Sequence, residues 1–134
     1  MDKIATKNLI ELATIEDFEN EPQEGELTVI HFIARPDTRY PSGWWVDVIP
    51  DIIIRPVGTK DRLGLVLAYN IPIAPQKHFF KSVHEQLPFT LFFPALPKGV
   101  THIDIIEKEG GSKSQFFNFY NVSLTRINTS SLKH

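Results

Sequence analysis

The sequence predicts an all-β protein, folded as a two-layer antiparallel β-sandwich of about seven or eight strands. Ten prolines and seven glycines divide the 134 residues into segments of strand length. Apolar residues recur with a period of two in several of these segments, whereas helical periodicity extends over residues 8–18 alone. Neither an internal repeat nor a linker interrupts the chain, so residues 1–134 are predicted to form a single domain.

The amino-terminal part is predicted to supply two strands and a loop. Segment 9–15 fits either a short helix or a strand, and we favour a strand because the rest of the chain supplies β partners. The acidic segment 16–26 is predicted to be a solvated loop. Segment 27–34 is apolar on both alternating faces, as in a central strand that is covered on two sides. Further strands are predicted over 44–48 and 52–55.

The middle of the chain contains a regular alternation of large and small side chains. Leu63, Leu65, Leu67 and Tyr69 are separated by smaller residues, which predicts one strand with its large side chains on one face. Segment 70–75 contains two prolines, which cannot donate hydrogen bonds to a ladder. We therefore expect this segment to cross between the two sheets.

The carboxyl-terminal part is predicted to supply three more strands. The segments 89–93 and 103–105 place large apolar residues on one face, and 116–124 is rich in aromatic and β-branched residues. A Pro/Gly turn separates the first two of these strands. The tail from about residue 128 is predicted to be frayed.

Three segments of this part resemble a known family. They read PFTLFFPALPKG at 88–99, IDIIE at 103–107 and FNFYNVSL at 117–124. They resemble an uncharacterised bacterial β-sandwich module in which an F-x-P-L-P-K-G turn precedes F-D-F-I-E and W-N-F-Y-G-I-x-L. The match spans about residues 63–124 and departs from the pattern at Phe117, where Trp is usual, and at Asn121, where Gly is usual. The resemblance implies an immunoglobulin-like sandwich and transfers no catalytic residue.

Composition restricts the chemistry and the compartment. The chain contains no cysteine, which excludes disulfides, thiolate metal sites and a cysteine nucleophile. No export signal opens it and no apolar run is long enough to span a membrane, so we expect a cytoplasmic protein without membrane contact. The resembling modules accompany exported proteins, which implies an extracytoplasmic location if the chain is a mature fragment. Residues 27–134 carry twelve basic against eight acidic residues, too mild an excess for nucleic-acid binding.

Candidate catalytic and metal-binding groups do not form a recognisable set. Asp104 and Glu107 are three residues apart, so on a regular strand they point to opposite faces and do not converge. The five histidines have no ligand spacing, and a metal site would have to be assembled through space from His78 and His84. We therefore predict no enzymatic activity, no metal and no cofactor.

One local cluster has the composition of a recognition surface, with two tryptophans and a tyrosine among charged residues. Adjacent strand positions face opposite ways, so one tryptophan is expected in the core and the other near the surface.

The sequence favours a non-enzymatic module that binds a protein partner or a second copy of itself. Carbohydrate binding by Tyr40 and one tryptophan is the alternative; a hydrolase has no supporting set of residues. The candidate contact residues are Arg35, Asp37, Arg39, Tyr40, Trp44 and Trp45.

Overall fold

The computed structural model describes residues 8–16, 27–39, 43–111 and 116–124. All of its regular elements are strands, which confirms the all-β prediction. The acidic loop and the frayed tail predicted above lie outside the described residues, apart from Glu16 at the end of the first strand. The strands are β1 (Asn8–Glu16), β2 (Leu27–Pro36), β3 (Trp45–Val46), β4 (Ile53–Pro56), β5 (Leu63–Gly64), β6 (Leu67–Tyr69), β7 (His78–Phe79), β8 (Leu87–Pro94), β9 (His102–Ile106) and β10 (Asn118–Ser123).

The strands form two four-stranded sheets and a short ribbon. The first sheet has the order β1-β2-β8-β6, the second has the order β10-β9-β4-β5, and the ribbon pairs β3 with β7. Every neighbouring pair is antiparallel. Among the described residues both large sheets are open, with β1 and β6 at the edges of the first and β10 and β5 at the edges of the second.

Side chains from both large sheets belong to one buried cluster. The ring of Phe32 in β2 stacks on Phe89 in β8 with 5.0 Å between centroids. The same ring meets Phe117 edge-on at 5.5 Å and Phe119 in β10 at 6.1 Å, and these two contacts join the first sheet to the second. Aromatic pairs at these separations add to the stabilisation that burial of their area provides.

The number of strands and the place where the chain changes sheets both differ from the prediction. The described part of the chain contains ten strands, and β3, β5 and β7 have only two residues each. Segment 63–69, predicted as one strand, is divided: β5 lies at the edge of the second sheet and β6 at the edge of the first. The change of sheet predicted for 70–75 therefore takes place around Val66, whose N–H donates to the Phe92 carbonyl at 2.7 Å.

No helix with the length and hydrophobicity that a bilayer crossing requires occurs in the residues that the structure describes.

Candidate functional site

Asp37 organises the loop that follows β2. This residue is only 3% exposed, and its carboxylate accepts hydrogen bonds from the Arg39 backbone N–H at 3.1 Å and from Nε and Nη2 of Arg39 at 2.9 and 2.6 Å. These hydrogen bonds from Arg39 hold the pKa of Asp37 below its usual value and outweigh the rise that burial produces. The Asp37–Arg39 pair therefore fixes the loop geometry beside Trp44.

The two tryptophans have different surroundings. Trp44 packs against the buried cluster and its Nε1 donates to the Asp37 carbonyl at 3.1 Å. Trp45 lies in β3, where the Lys77 ammonium sits 4.8 Å from the centre of its ring. Its cross-strand neighbour is Phe79, which is 60% exposed. Because directly opposed residues of an antiparallel pair share a face, Trp45 and Phe79 lie on the same face of the ribbon.

Arg35, another of the predicted contact residues, does not join this arrangement. Arg35 lies in β2 and forms an ion pair with Glu11 of β1 in the first sheet. Its Nε is buried, and no hydrogen-bond acceptor reaches it in the part of the chain that the structure describes. Tyr40 lies outside the described residues. The structure therefore links Asp37, Arg39 and Trp44 to one another and pairs Trp45 with Phe79.

A second candidate surface lies on the first sheet, on the face opposite the core. In β2, buried residues alternate with half-buried ones, and Val29 is among the half-buried residues that point away from the core. Val29 is opposite Phe92, and Phe92 is opposite Leu67, so three apolar residues form one row across three strands. Leu67 is 55% exposed. A row of this kind presents apolar area to solvent where a polar face is usual.

The next row on the same face contains Tyr69, Thr90 and His31. Tyr69 is 67% exposed, and a 2.9 Å hydrogen bond joins His31 Nδ1 to Thr90 Oγ1. This hydrogen bond pairs two polar side chains at the centre of the face, and apolar side chains lie around them. We call Val29, Leu67, Tyr69 and Phe92 the outer patch.

Sequence reasoning did not identify the outer patch, although one signal of it was present. The segment 27–34 is apolar on both faces, and the structure places only one of those faces in the core. The alternation at 63–69 predicted Leu67 and Tyr69 on the same face as Leu63 and Leu65. That prediction is wrong: Leu63, Leu65 and Ala68 pack against the core, and Leu67 and Tyr69 are exposed. The change of sheet at Val66 shifts the alternation.

The carboxylates weighed as catalytic groups, Asp104 and Glu107, accept hydrogen bonds from backbone N–H groups. Asp104 accepts the Asn121 N–H at 2.8 Å and pairs with Arg55 at 3.3 Å. The carboxylate of Glu107 accepts the N–H groups of Ile49 and Phe117 at 3.1 and 2.9 Å. The two carboxylates therefore have separate sets of partners and both fix loop and strand ends.

Of the two histidines weighed as metal ligands, His78 and His84, the first pairs with a carboxylate. His78 Nε2 lies 2.7 Å from Glu85 Oε2, and the other oxygen of Glu85 accepts the Lys81 N–H at 2.7 Å. The Lys81 N–H, and after it the His78 ring, keep the pKa of Glu85 below its usual value. No group of three or more His, Cys, Asp or Glu side chains that suits a metal ion occurs among the residues described.

Comparison with known proteins adds no further assignment: no family model, curated protein or solved structure matches the chain.

Proposed function

We propose that this chain is a non-enzymatic interaction module with an immunoglobulin-like two-layer β-sandwich fold, which binds another protein through the outer patch. The fold proposal is supported by the contacts that Phe32 makes with Phe117 and Phe119 between the sheets. It is also supported by the coincidence of the three motif segments with β8, β9 and β10.

The proposed contact surface rests on the exposure of Leu67 and Tyr69 beside Phe92 and Val29. These residues belong to neighbouring strands, so their apolar area is contiguous. Contiguous apolar patches on soluble proteins mark sites that contact other molecules, whereas single exposed apolar residues carry no such meaning. A tyrosine at the margin adds a large side chain that can also donate a hydrogen bond, which is typical of protein interfaces.

The absence of enzymatic activity is supported by the hydrogen bonds of three acids, of which Asp37 and Glu107 are buried and Asp104 is half-buried. Asp37, Asp104 and Glu107 all accept hydrogen bonds from backbone N–H groups and serve as structural acceptors. A general acid or base must instead be within reach of a substrate proton.

A site-specific photo-crosslinker tests the proposal. Replacing Tyr69 with benzoylphenylalanine in the producing cells is expected to give crosslinked protein adducts, which mass spectrometry identifies. Tyr120 is the matched control because it is a tyrosine of similar exposure, 55% against 67%, on a strand of the second sheet. Equal adduct formation at both positions, or none at Tyr69, contradicts a contact surface on the outer patch.

A second candidate function is carbohydrate binding, which the Trp45–Phe79 pair favours. A sugar ring can stack on such a pair, although Lys77 already lies over the Trp45 ring and would have to move aside. The variant Trp44→Phe leaves Trp45 as the sole tryptophan. A bound glycan is expected to change the fluorescence of Trp45. The additional substitution Phe79→Ala is expected to abolish this change. An unchanged spectrum across a panel of neutral and acidic glycans contradicts this function.

A further inference from the structure

We infer that β6, the edge strand that carries Leu67 and Tyr69 of the outer patch, pairs antiparallel with β6 of a second copy of this chain about a twofold axis at Ala68. The inference rests on the proposed function and names a partner for the β6 part of the outer patch. It is carried by the backbone of β6, by the order of its side chains and by the absence of charge along it.

The first step concerns the backbone. β6 is an edge strand of the first sheet, and its only strand partner among the described residues is β8. An edge strand presents unpaired N–H and C=O groups, and natural proteins protect such edges with charges, prolines, bulges or a very short strand. Segment 63–69 contains no charged residue and no proline. Nothing in its side chains therefore opposes the addition of another strand.

The opposite edge of the same sheet differs in these respects. β1 carries Glu11, which pairs with Arg35, and its register with β2 shifts between Leu12 and Thr14. A charge pair and an irregular ladder are two of the protections that edge strands use. The contrast between the two edges of one sheet selects β6 as the edge that accepts a partner.

The second step concerns the side chains. In an antiparallel pair centred on Ala68, Leu67 of each copy lies opposite Tyr69 of the other, and Ala68 lies opposite itself. Leu67 and Tyr69 are 55% and 67% exposed and point to the outer face, so the pairing covers both on the same side of the joined sheet. A twofold interface requires a surface that is complementary to itself, and this order of one aliphatic, one small and one aromatic residue meets the requirement. Aliphatic and aromatic side chains are favourable cross-strand neighbours.

The third step concerns charge and strength. No like charges meet along 63–69 when two copies pair, so the twofold arrangement has no electrostatic penalty at its centre. β6 has only three residues, which limits the number of new hydrogen bonds. The association is therefore weak and reversible, as is usual for small interfaces. The pairing joins two four-stranded sheets into one continuous sheet.

Sedimentation velocity between about 1 µM and about 1 mM covers the range in which such interfaces associate. The wild-type chain is expected to pass from monomer to dimer. Leu67→Lys and Tyr69→Lys are each expected to weaken the dimer at least about tenfold, because they place charges beside one another across the twofold axis. Val57→Lys is the matched control, since Val57 is also an exposed apolar residue, at 44%, and lies outside segment 63–69. A wild-type monomer throughout, or equal effects of Leu67→Lys and Val57→Lys, overturns the inference.

Cysteine crosslinking tests the register and also traps a dimer that is only weakly populated. The chain has no cysteine, so each introduced thiol is the only one present. Ala68→Cys is expected to form a disulfide-linked dimer under mild oxidation, because the two Cα atoms then lie within disulfide reach. Mixing Leu67→Cys with Tyr69→Cys is expected to give the mixed dimer. Crosslinking of Ala68→Cys that is no faster than that of Val57→Cys overturns the twofold pairing.

The outcomes also separate this inference from the proposed function. If the wild-type chain stays monomeric while the Tyr69 crosslinker captures a different protein, the second copy is excluded and the outer patch remains a contact surface. If the Tyr69 crosslinker captures nothing and the wild-type chain also stays monomeric in sedimentation, both proposals fail.

Discussion

Glu107 and Ile49 are joined by a 3.1 Å hydrogen bond from the Ile49 backbone N–H to Oε2 of a carboxylate whose residue is only 4% exposed. Oε1 of the same carboxylate accepts the Phe117 N–H at 2.9 Å. One side chain at the end of β9 thus fixes two segments that are distant in sequence. Ionised acceptors make stronger hydrogen bonds than neutral ones, which suits a buried junction of this kind.

Glu107→Gln is expected to lower the free energy of unfolding by about 1–3 kcal/mol, because it turns an amide NH₂ toward a backbone N–H and leaves that donor without an acceptor. Urea denaturation measures the change. Glu109→Gln is the control: Glu109 is exposed and forms only long ion pairs with Arg55 and Arg62, at 3.4 and 3.7 Å, among the described residues. Its replacement should cost less than about 1 kcal/mol. A similar loss in both variants would contradict the junction role of Glu107.

The exposure of Leu67 can be tested against a buried leucine of the neighbouring strand. Leu67 is opposite Phe92, and the adjacent residue in β8, Leu91, is fully buried. Leu91→Ala is expected to cost about 2–5 kcal/mol through the cavity that it leaves. Leu67→Ala should change stability by less than about 0.5 kcal/mol, since it removes mostly solvated area. Urea denaturation at low protein concentration gives both values, and a large loss in Leu67→Ala would show that Leu67 is buried, contrary to the structure.

The fold class could be predicted from local patterns, because strand length and period-two alternation depend on neighbouring residues. The favoured strand at 9–15 is confirmed as part of β1. What could not be predicted depends on distant partners. The sheet change at Val66 follows from the Phe92 carbonyl, 26 residues away, and it reverses the side-chain faces that the alternation indicated for Leu67 and Tyr69.

The candidate site could be predicted only where its residues are close to one another in the sequence. Asp37, Arg39 and Trp44 are close in sequence, and local hydrogen bonds join them in the structure. The surface partners of Trp45, by contrast, come from the segment around β7, which is distant from Trp45 in the sequence. Two-residue strands have no periodicity to detect, so the ribbon could not be identified by pattern.

The Asp37–Arg39 pair predicts a pH dependence of stability. The pKa of Asp37 is lowered in the folded state relative to its usual value of 3.8, so the unfolded state binds more protons between the two values. The stabilisation is present above pH 3.8 and is lost as the pH falls through the lower, folded-state pKa. The stability difference between wild type and Arg39→Met should therefore be constant near neutral pH and shrink below about pH 4.

Urea denaturation between pH 7 and pH 3 measures this difference. Lys60→Met is the control, since it removes an exposed cation from a different loop and should give a difference that varies little over the same range. A gap between wild type and Arg39→Met that stays constant down to pH 3 would show that Arg39 does not act through the Asp37 carboxylate.

The turn between β8 and β9 predicts a stability cost at Gly99 that Gly64 does not share. Gly99 has φ +86°, a conformation that other residues adopt only with strain, although an added Cβ would meet nothing within 4 Å. Gly99→Ala is therefore expected to cost about 1–2 kcal/mol through backbone strain alone.

Gly64 is the control. It lies in β5 without a positive φ, and an added Cβ there also meets nothing within 4 Å. Gly64→Ala should therefore leave stability unchanged or raise it by a few tenths of a kcal/mol. Thermal and urea unfolding of both variants compare the two effects, and equal losses would mean that φ does not determine the cost.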